Sequence, residues 1–134
     1  MFPSQFFLYP SNLMKLYRVL FTYALFDSDT GYIQGMNFIV ASLLLTSTEV
    51  EAFWILKYFM EELDLKSVLT NQENCLDDHV QHIESLVKVN YPSVHHKLKS
   101  LYISLDTFVT PWIMTLFTNL LPSSKTHIEK SFLY

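Results

Sequence analysis

The stretch Gly31-Tyr32-Ile33-Gln34-Gly35-Met36-Asn37, followed by an apolar run over residues 38–45, is the most informative part of this sequence. It contains both glycines of the chain, where an average composition would supply about nine. Neither glycine belongs to a GxGxxG or a GxxxxGK[ST] pattern, so no recognisable phosphate-binding loop is present. Turn-forming residues over 27–31 precede the stretch. The pattern therefore predicts a turn at the start of a buried helix.

Apolar residues recur at helical spacing on both sides of this turn. Upstream, they predict a helix from about 12 to Phe26; downstream, they predict one from 34 or 35 to about 45. The second helix is apolar on all sides, which is typical of a central, buried helix. Thr48 and Glu51 then have the spacing of a capping box, which predicts a third helix to about Leu63.

Three further helices are expected, over about 76–89, 92–101 and 110–120. Thr110 and Pro111 have the residue types of an N-cap and a first helical position. No alternating strand pattern accompanies turn residues, so the predicted fold class is all-α. The predicted core is a single cluster: Met36, Val40, Leu44, Phe53, Trp54, Trp112 and Leu116.

Charge, cysteine content and hydropathy exclude several classes of protein. The net charge is −4 with scattered basic residues, which argues against a nucleic-acid partner. Cys75 is the only cysteine, so neither a disulfide framework nor a thiolate zinc site is expected. The N-terminus lacks the pattern of a signal peptide, and no apolar run approaches the roughly 20 residues of a membrane span. We expect one soluble, cytosolic domain.

Gln34 stands between the two glycines, and two interpretations are open. In the first, the stretch only separates two helices. In the second, the uncharged side chain, which carries a donor and an acceptor, orients a water molecule or bonds the backbone of a partner.

A family resemblance bears on this choice. Tyr-Ile-Gln-Gly-Met-Asn over 32–37 is similar to the YxQGM signature of TBC domains, the GTPase-activating domains for Rab-type GTPases. Residues 16–20 and 23–24 resemble the helix before that signature, and residues 108–122 resemble a later block of the family. The resemblance covers about 2–122 and implies that 1–134 is a partial, all-α TBC-like domain.

The resemblance also implies a role for each residue of the motif. Gln34 would be the catalytic glutamine that positions the attacking water, while Tyr32, Gly35, Met36 and Asn37 would shape and support it. The chain would activate a Rab-family GTPase in vesicle trafficking rather than act on a substrate of its own. It would need no cofactor, since GTP and Mg²⁺ belong to the partner. It would be cytoplasmic, recruited to endomembranes, with peripheral membrane association only through the GTPase.

The sequence departs from the family pattern at both ends. The family's IxxDxxR motif, which supplies a catalytic arginine, would fall at or before Met1. Arg18 is the only arginine, and we interpret it as a surface residue of the first helix. The family's Ile-Trp-Asp segment is absent after Pro122. Besides an active GTPase activator, the alternatives are a catalytically inactive Rab-binding module and a fragment truncated at both ends of an active domain.

Other polar clusters have simpler interpretations. Acidic and histidine side chains gather near the start of the fourth helix, but no metal-binding signature joins them, so we interpret them as a solvated surface: Asp77, Asp78, His79, His82 and Glu84. The pair His95-His96 is interpreted in the same way. The aromatic residues over 53–59 are expected in the core.

Overall fold

The computed structural model describes residues 6–118, and within them the chain is helical, with no strand. The α-helices are α1 (Pro10–Phe26), α2 (Met36–Leu43), α3 (Glu49–Glu61), α4 (Leu65–Leu69), α5 (Cys75–Asn90), α6 (Pro92–Ser100) and α7 (Asp106–Met114). Short 3-10 turns cover Phe6–Leu8 and Gln72–Asn74. The all-α prediction is confirmed. The expected end of the last helix near 120, and everything after it, lies outside the described residues.

Helix α2 lies at the centre of the core, as its apolar sequence predicts. Met36 and Val40 are fully buried, and Leu44, just after the helix, is almost so. Helices α1 and α3 cover α2 with three buried side chains each: Leu16, Val19 and Tyr23 from α1, and Ala52, Leu56 and Met60 from α3. This cluster is therefore built mainly from the first three helices. The prediction of a single core is wrong, because Leu76, Val80 and Val109 form a second buried cluster, against which Trp112 packs.

Helices α1 and α3 pack side by side and run parallel. Arg18 pairs with Glu49, and further along both helices Phe26 packs edge-on against Phe53. Helix α3 begins at the predicted capping box. The Glu51 N–H donates to Thr48 Oγ1 at 3.3 Å, and the Thr48 N–H donates to Glu51 Oε2 at 2.8 Å.

The predictions that Trp54 and Tyr58 lie in the core are wrong, since Tyr58 is 54% exposed. The Trp54 side chain is 58% exposed, whereas Phe53 is partly buried. The buried positions of α3 follow an i, i+4, i+8 row that starts at Ala52. Trp54 is two residues from that row, which at 100° per residue places it on the opposite side of the helix.

The last described helix begins earlier than predicted. Helix α7 starts at Asp106 and contains Pro111 in its interior. An acidic residue at a helix N-terminus is stabilised by the helix dipole, whereas Pro111 removes a backbone hydrogen bond and its ring crowds the preceding turn. The helix ends at Met114, and Leu116 then has a positive φ of 48°. Leu116 consequently leaves the helical face and is exposed, contrary to the prediction, while Trp112 is partly buried.

Candidate functional site

Gln34 lies in a tight turn that two hydrogen bonds close. The Met36 N–H donates to the Ile33 carbonyl at 3.2 Å. In return, the Ile33 N–H donates to the Met36 thioether sulfur at 3.2 Å. Gln34 and Gly35 occupy the two central positions between these bonds. Because the Met36 side chain is fully buried, the turn is fixed directly to the core.

Gly35 is required in this turn for two independent reasons. Its φ is +105°, a conformation that residues with a Cβ rarely adopt. A Cβ added here would also lie 2.5 Å from the carbonyl oxygen of Met114, at the end of α7. The backbone of the turn therefore lies directly against α7. The Gly35 carbonyl also accepts the N–H groups of Phe38 and Ile39, which joins the turn to the start of α2.

Tyr32 and Asn37 contact each other across the turn. The Tyr32 hydroxyl donates to Asn37 Oδ1 at 3.2 Å. Partial burial raises the pKa of the Tyr32 phenol, so the hydroxyl keeps its proton and remains a donor at neutral pH. This hydrogen bond joins Tyr32, which precedes the tight turn, to Asn37 at the start of helix α2.

Asp27 anchors the chain on the other side of the motif. Its carboxylate accepts hydrogen bonds from Lys66 Nζ at 2.8 Å, from the Thr30 N–H at 3.2 Å and from the Tyr23 hydroxyl at 3.3 Å. The hydrogen bond from Lys66 is the main reason that the pKa of Asp27 lies below its ordinary value. The Gly31 N–H donates to the Asp27 carbonyl at 2.8 Å. The approach to the turn is thus joined to α1 and α4.

The side chain of Gln34 differs from these supporting groups. It is exposed, and no hydrogen bond joins it to another of residues 6–118. Its amide donor and acceptor are therefore available to a water molecule or a partner, on a backbone that is held at both ends. Of the five residues in the predicted site, Gly35 and Met36 are buried, Asn37 is partly buried, and Tyr32 and Gln34 are exposed.

Arg18 lies on α1 in a surface ion pair, as the sequence predicts. Its Nε and one terminal nitrogen each donate to Glu49 at 2.7 Å, a bidentate arrangement. The hydrogen bond with Glu49 raises the pKa of the guanidinium. Both donors are directed at Glu49, so Arg18 joins α1 to α3 at the surface of the chain.

The polar clusters elsewhere also form local contacts. Asn71 donates to Asp77 at 3.0 Å in front of α5. Glu84 pairs with Lys99 at 3.0 Å and with His95 at 3.3 Å, which joins α5 to α6. Across residues 6–118, no three His, Cys, Asp or Glu side chains converge as a metal site requires. No helix in that range is both long enough and apolar enough to cross a bilayer.

Comparisons with known proteins agree on one family. Residues 1–128 match the family model of the Rab-GTPase-TBC domain. The chain is 28% identical over 109 residues to human TBC1 domain family member 1, which covers 81% of this chain and 9% of that protein. It is 30% identical over 117 residues to the GTPase-activating protein GYP5 of Saccharomyces cerevisiae, covering 87% and 13%. It is 31% identical over 108 residues to the Rab GTPase-activating protein tbc-11 of Caenorhabditis elegans, covering 81% and 12%.

The chain thus spans about a tenth of the length of these relatives. No solved structure matches it significantly. The family match covers nearly the whole sequence and includes the turn at Gln34. The chain belongs to the Rab-GTPase-TBC domain family.

Proposed function

We propose that this chain is the glutamine-bearing part of a domain that stimulates GTP hydrolysis by a Rab-family GTPase. The observation that carries the proposal is the exposed amide of Gln34, which makes no hydrogen bond to another of residues 6–118, on a turn that Gly35 and Met36 join to α7 and the core. Phosphoryl transfer is accelerated mainly by positioning and electrostatics. Because the backbone of the turn is held before the partner arrives, only the side-chain torsions of Gln34 remain to be ordered when its amide orients the attacking water.

The other residues of the motif act as supports in this proposal. Met36 and Gly35 fix the turn to the core and to α7, and the Tyr32–Asn37 hydrogen bond holds its flank. GTP and Mg²⁺ belong to the partner GTPase, so the chain contributes no cofactor. Names of similar proteins support the partner class, since tbc-11 is called a Rab GTPase-activating protein.

In this proposal the arginine that offsets charge on the phosphoryl group comes from outside these 134 residues, since the only arginine, Arg18, pairs with Glu49 on the surface of α1. An arginine finger contributes roughly 10³–10⁵ in rate. We therefore expect the chain alone to bind a Rab-family GTPase and to accelerate hydrolysis weakly. The alternative, an inactive Rab-binding module, differs in one respect: supplying the arginine would not restore activity.

Single-turnover GTP hydrolysis across a panel of Rab GTPases tests this proposal. Three proteins are compared: the chain, the chain extended upstream with the family's arginine motif, and the extended chain carrying Gln34→Ala. Gln81→Ala in the extended chain is the matched control, since Gln81 is an exposed glutamine on α5. We expect activity from the extended chain that Gln34→Ala removes and Gln81→Ala leaves intact. Binding without activation by any protein would favour the inactive module, and no binding would contradict the proposal.

A further inference from the structure

We infer that the hairpin formed by the end of α5, α6 and the turn after it, residues 85–105, binds the surface of an anionic lipid bilayer. This inference does not depend on the proposed function. It differs from the sequence-based expectation that the chain meets membranes only through its GTPase.

The charge of this segment is opposite to that of the rest of the chain. Residues 85–105 contain three of the nine basic residues and none of the thirteen acidic ones. Lys99 is paired with Glu84, while no ion pair involves Lys88 or Lys97 in the described part of the chain. Within a chain whose net charge is −4, this segment is therefore locally cationic, between the flanking acidic residues Glu84 and Asp106.

The same hairpin exposes apolar side chains beside its lysines. Helix α6 has no buried residue. Val94, Lys97 and Leu101 follow one another at i+3 and i+4, so they lie on one side of the helix, and both apolar members are exposed. Val89, at the end of α5, is 77% exposed. Apolar residues flanked by lysines match the composition of a bilayer interface, where lysine stems contact acyl chains and ammonium groups meet anionic headgroups.

The backbone conformation and exposure of Tyr102 give a second, independent observation that supports membrane binding. The Tyr102 N–H donates to the Lys99 carbonyl, the Ile103 N–H donates to the Leu98 carbonyl, and the φ of Tyr102 is +55°. This is the C-terminal helix motif whose left-handed position is usually occupied by glycine. A tyrosine there costs stability, and its side chain is 98% exposed, so the fold gains no packing from it. Tyrosine is a residue type enriched where one end of the ring is in lipid and the other in water.

Helix α1 also has an exposed apolar row, which includes Leu13, Tyr17 and Phe21, and it contains no acidic residue. Of its two basic residues, Arg18 is paired with Glu49, which leaves Lys15 alone without an ion pair to another of residues 6–118. The hairpin has two such lysines, Lys88 and Lys97, so charge complementarity favours an anionic bilayer there over α1.

Vesicle co-sedimentation of the complete chain, without GTPase or nucleotide, tests the inference. We expect partitioning onto phosphatidylcholine vesicles that contain phosphatidylserine, little onto phosphatidylcholine alone, and a decrease as salt rises. One lysine near an anionic leaflet changes partitioning by about fivefold. Lys97→Glu should therefore lower it by about 30-fold, while the charge-matched control Lys15→Glu should leave it nearly unchanged.

Tyr102→Gly separates lipid binding from a structural role. Glycine relieves the left-handed strain, so the unfolding midpoint should rise by about 4 °C, while partitioning should fall several-fold. Tyr58→Ala removes another exposed tyrosine and should not change partitioning. The inference is overturned if anionic vesicles do not bind the chain, or if Lys97→Glu and Tyr102→Gly bind like their controls. Binding to polyglutamate but not to vesicles would also overturn it and would indicate an acidic protein partner.

Discussion

Replacing Gly35 with alanine should destabilise the chain through two effects that the structure separates. A residue with a Cβ at positive φ costs about 1–2 kcal/mol. The new methyl group would also lie 2.5 Å from the Met114 carbonyl oxygen, and overpacking of this kind costs about 1–3 kcal/mol. We therefore expect Gly35→Ala to lower the free energy of unfolding by about 2–5 kcal/mol.

Gly31→Ala is the matched control for this substitution. Gly31 also has a positive φ, +63°, but a Cβ there would meet nothing within 4 Å. Gly31→Ala should therefore cost only the strain of a positive φ, which lowers the free energy of unfolding by about 1–2 kcal/mol. At about 4 °C per kcal/mol for a chain of this size, the Tm of Gly35→Ala should lie at least about 4 °C below that of Gly31→Ala.

Thermal and urea unfolding followed by circular dichroism measures both variants. A loss of stability limited to Gly31→Ala, or equal in the two proteins, would refute the close contact between the turn and α7. If the contact is correct, Gly35→Ala should also disturb the position of Gln34, and any Rab-dependent activity should fall with it.

Three further predictions concern the supports of the site. Thr48→Ala removes the cap of α3 and should cost about 1 kcal/mol in urea unfolding; an unchanged midpoint would contradict the capping box. Asp27→Asn removes the acceptor for Lys66. Because the folded pKa of Asp27 is lowered, its contribution is present at neutral pH and lost as the pH falls through that pKa, so the gap in stability between wild type and variant should close toward pH 3. An equal gap at both pH values would contradict the ion pair. Arg18→Gln should leave the GTPase activation of an arginine-extended chain intact, because Glu49 holds Arg18; loss of activation with the fold preserved would identify Arg18 as catalytic.

The parts of the fold that depend on local sequence could be predicted. The capping box at Thr48, the central position of α2 and the turn at Gln34 are determined by residues within a few positions of each other. The surface location of Arg18 rests instead on the resemblance of its helix to the helix before the family's signature. For the capping box, α2 and the turn, the residues that determine the structure lie within one or two helical turns of one another.

The remaining features depend on contacts between distant residues. Nothing in the sequence places Met114 against Gly35 or Lys66 against Asp27, since each pair comes together only when the helices pack. Trp54 was assigned to the core by residue type, but the packing of α1 and α3 buries the row of α3 that starts at Ala52. The start of α7 could not be found from Pro111, because proline is favoured at the first position of a helix and disfavoured in its interior, where α7 nevertheless contains it.

The central claim is that Gln34 acts directly in GTP hydrolysis. Its most direct test is the single-turnover hydrolysis rate of a responsive Rab GTPase with the arginine-extended chain and its Gln34→Ala variant, at concentrations that saturate binding. Because the Gln34 side chain is exposed and makes no hydrogen bond within residues 6–118, we expect unchanged stability and a loss of most of the acceleration. Full acceleration by Gln34→Ala would contradict the account.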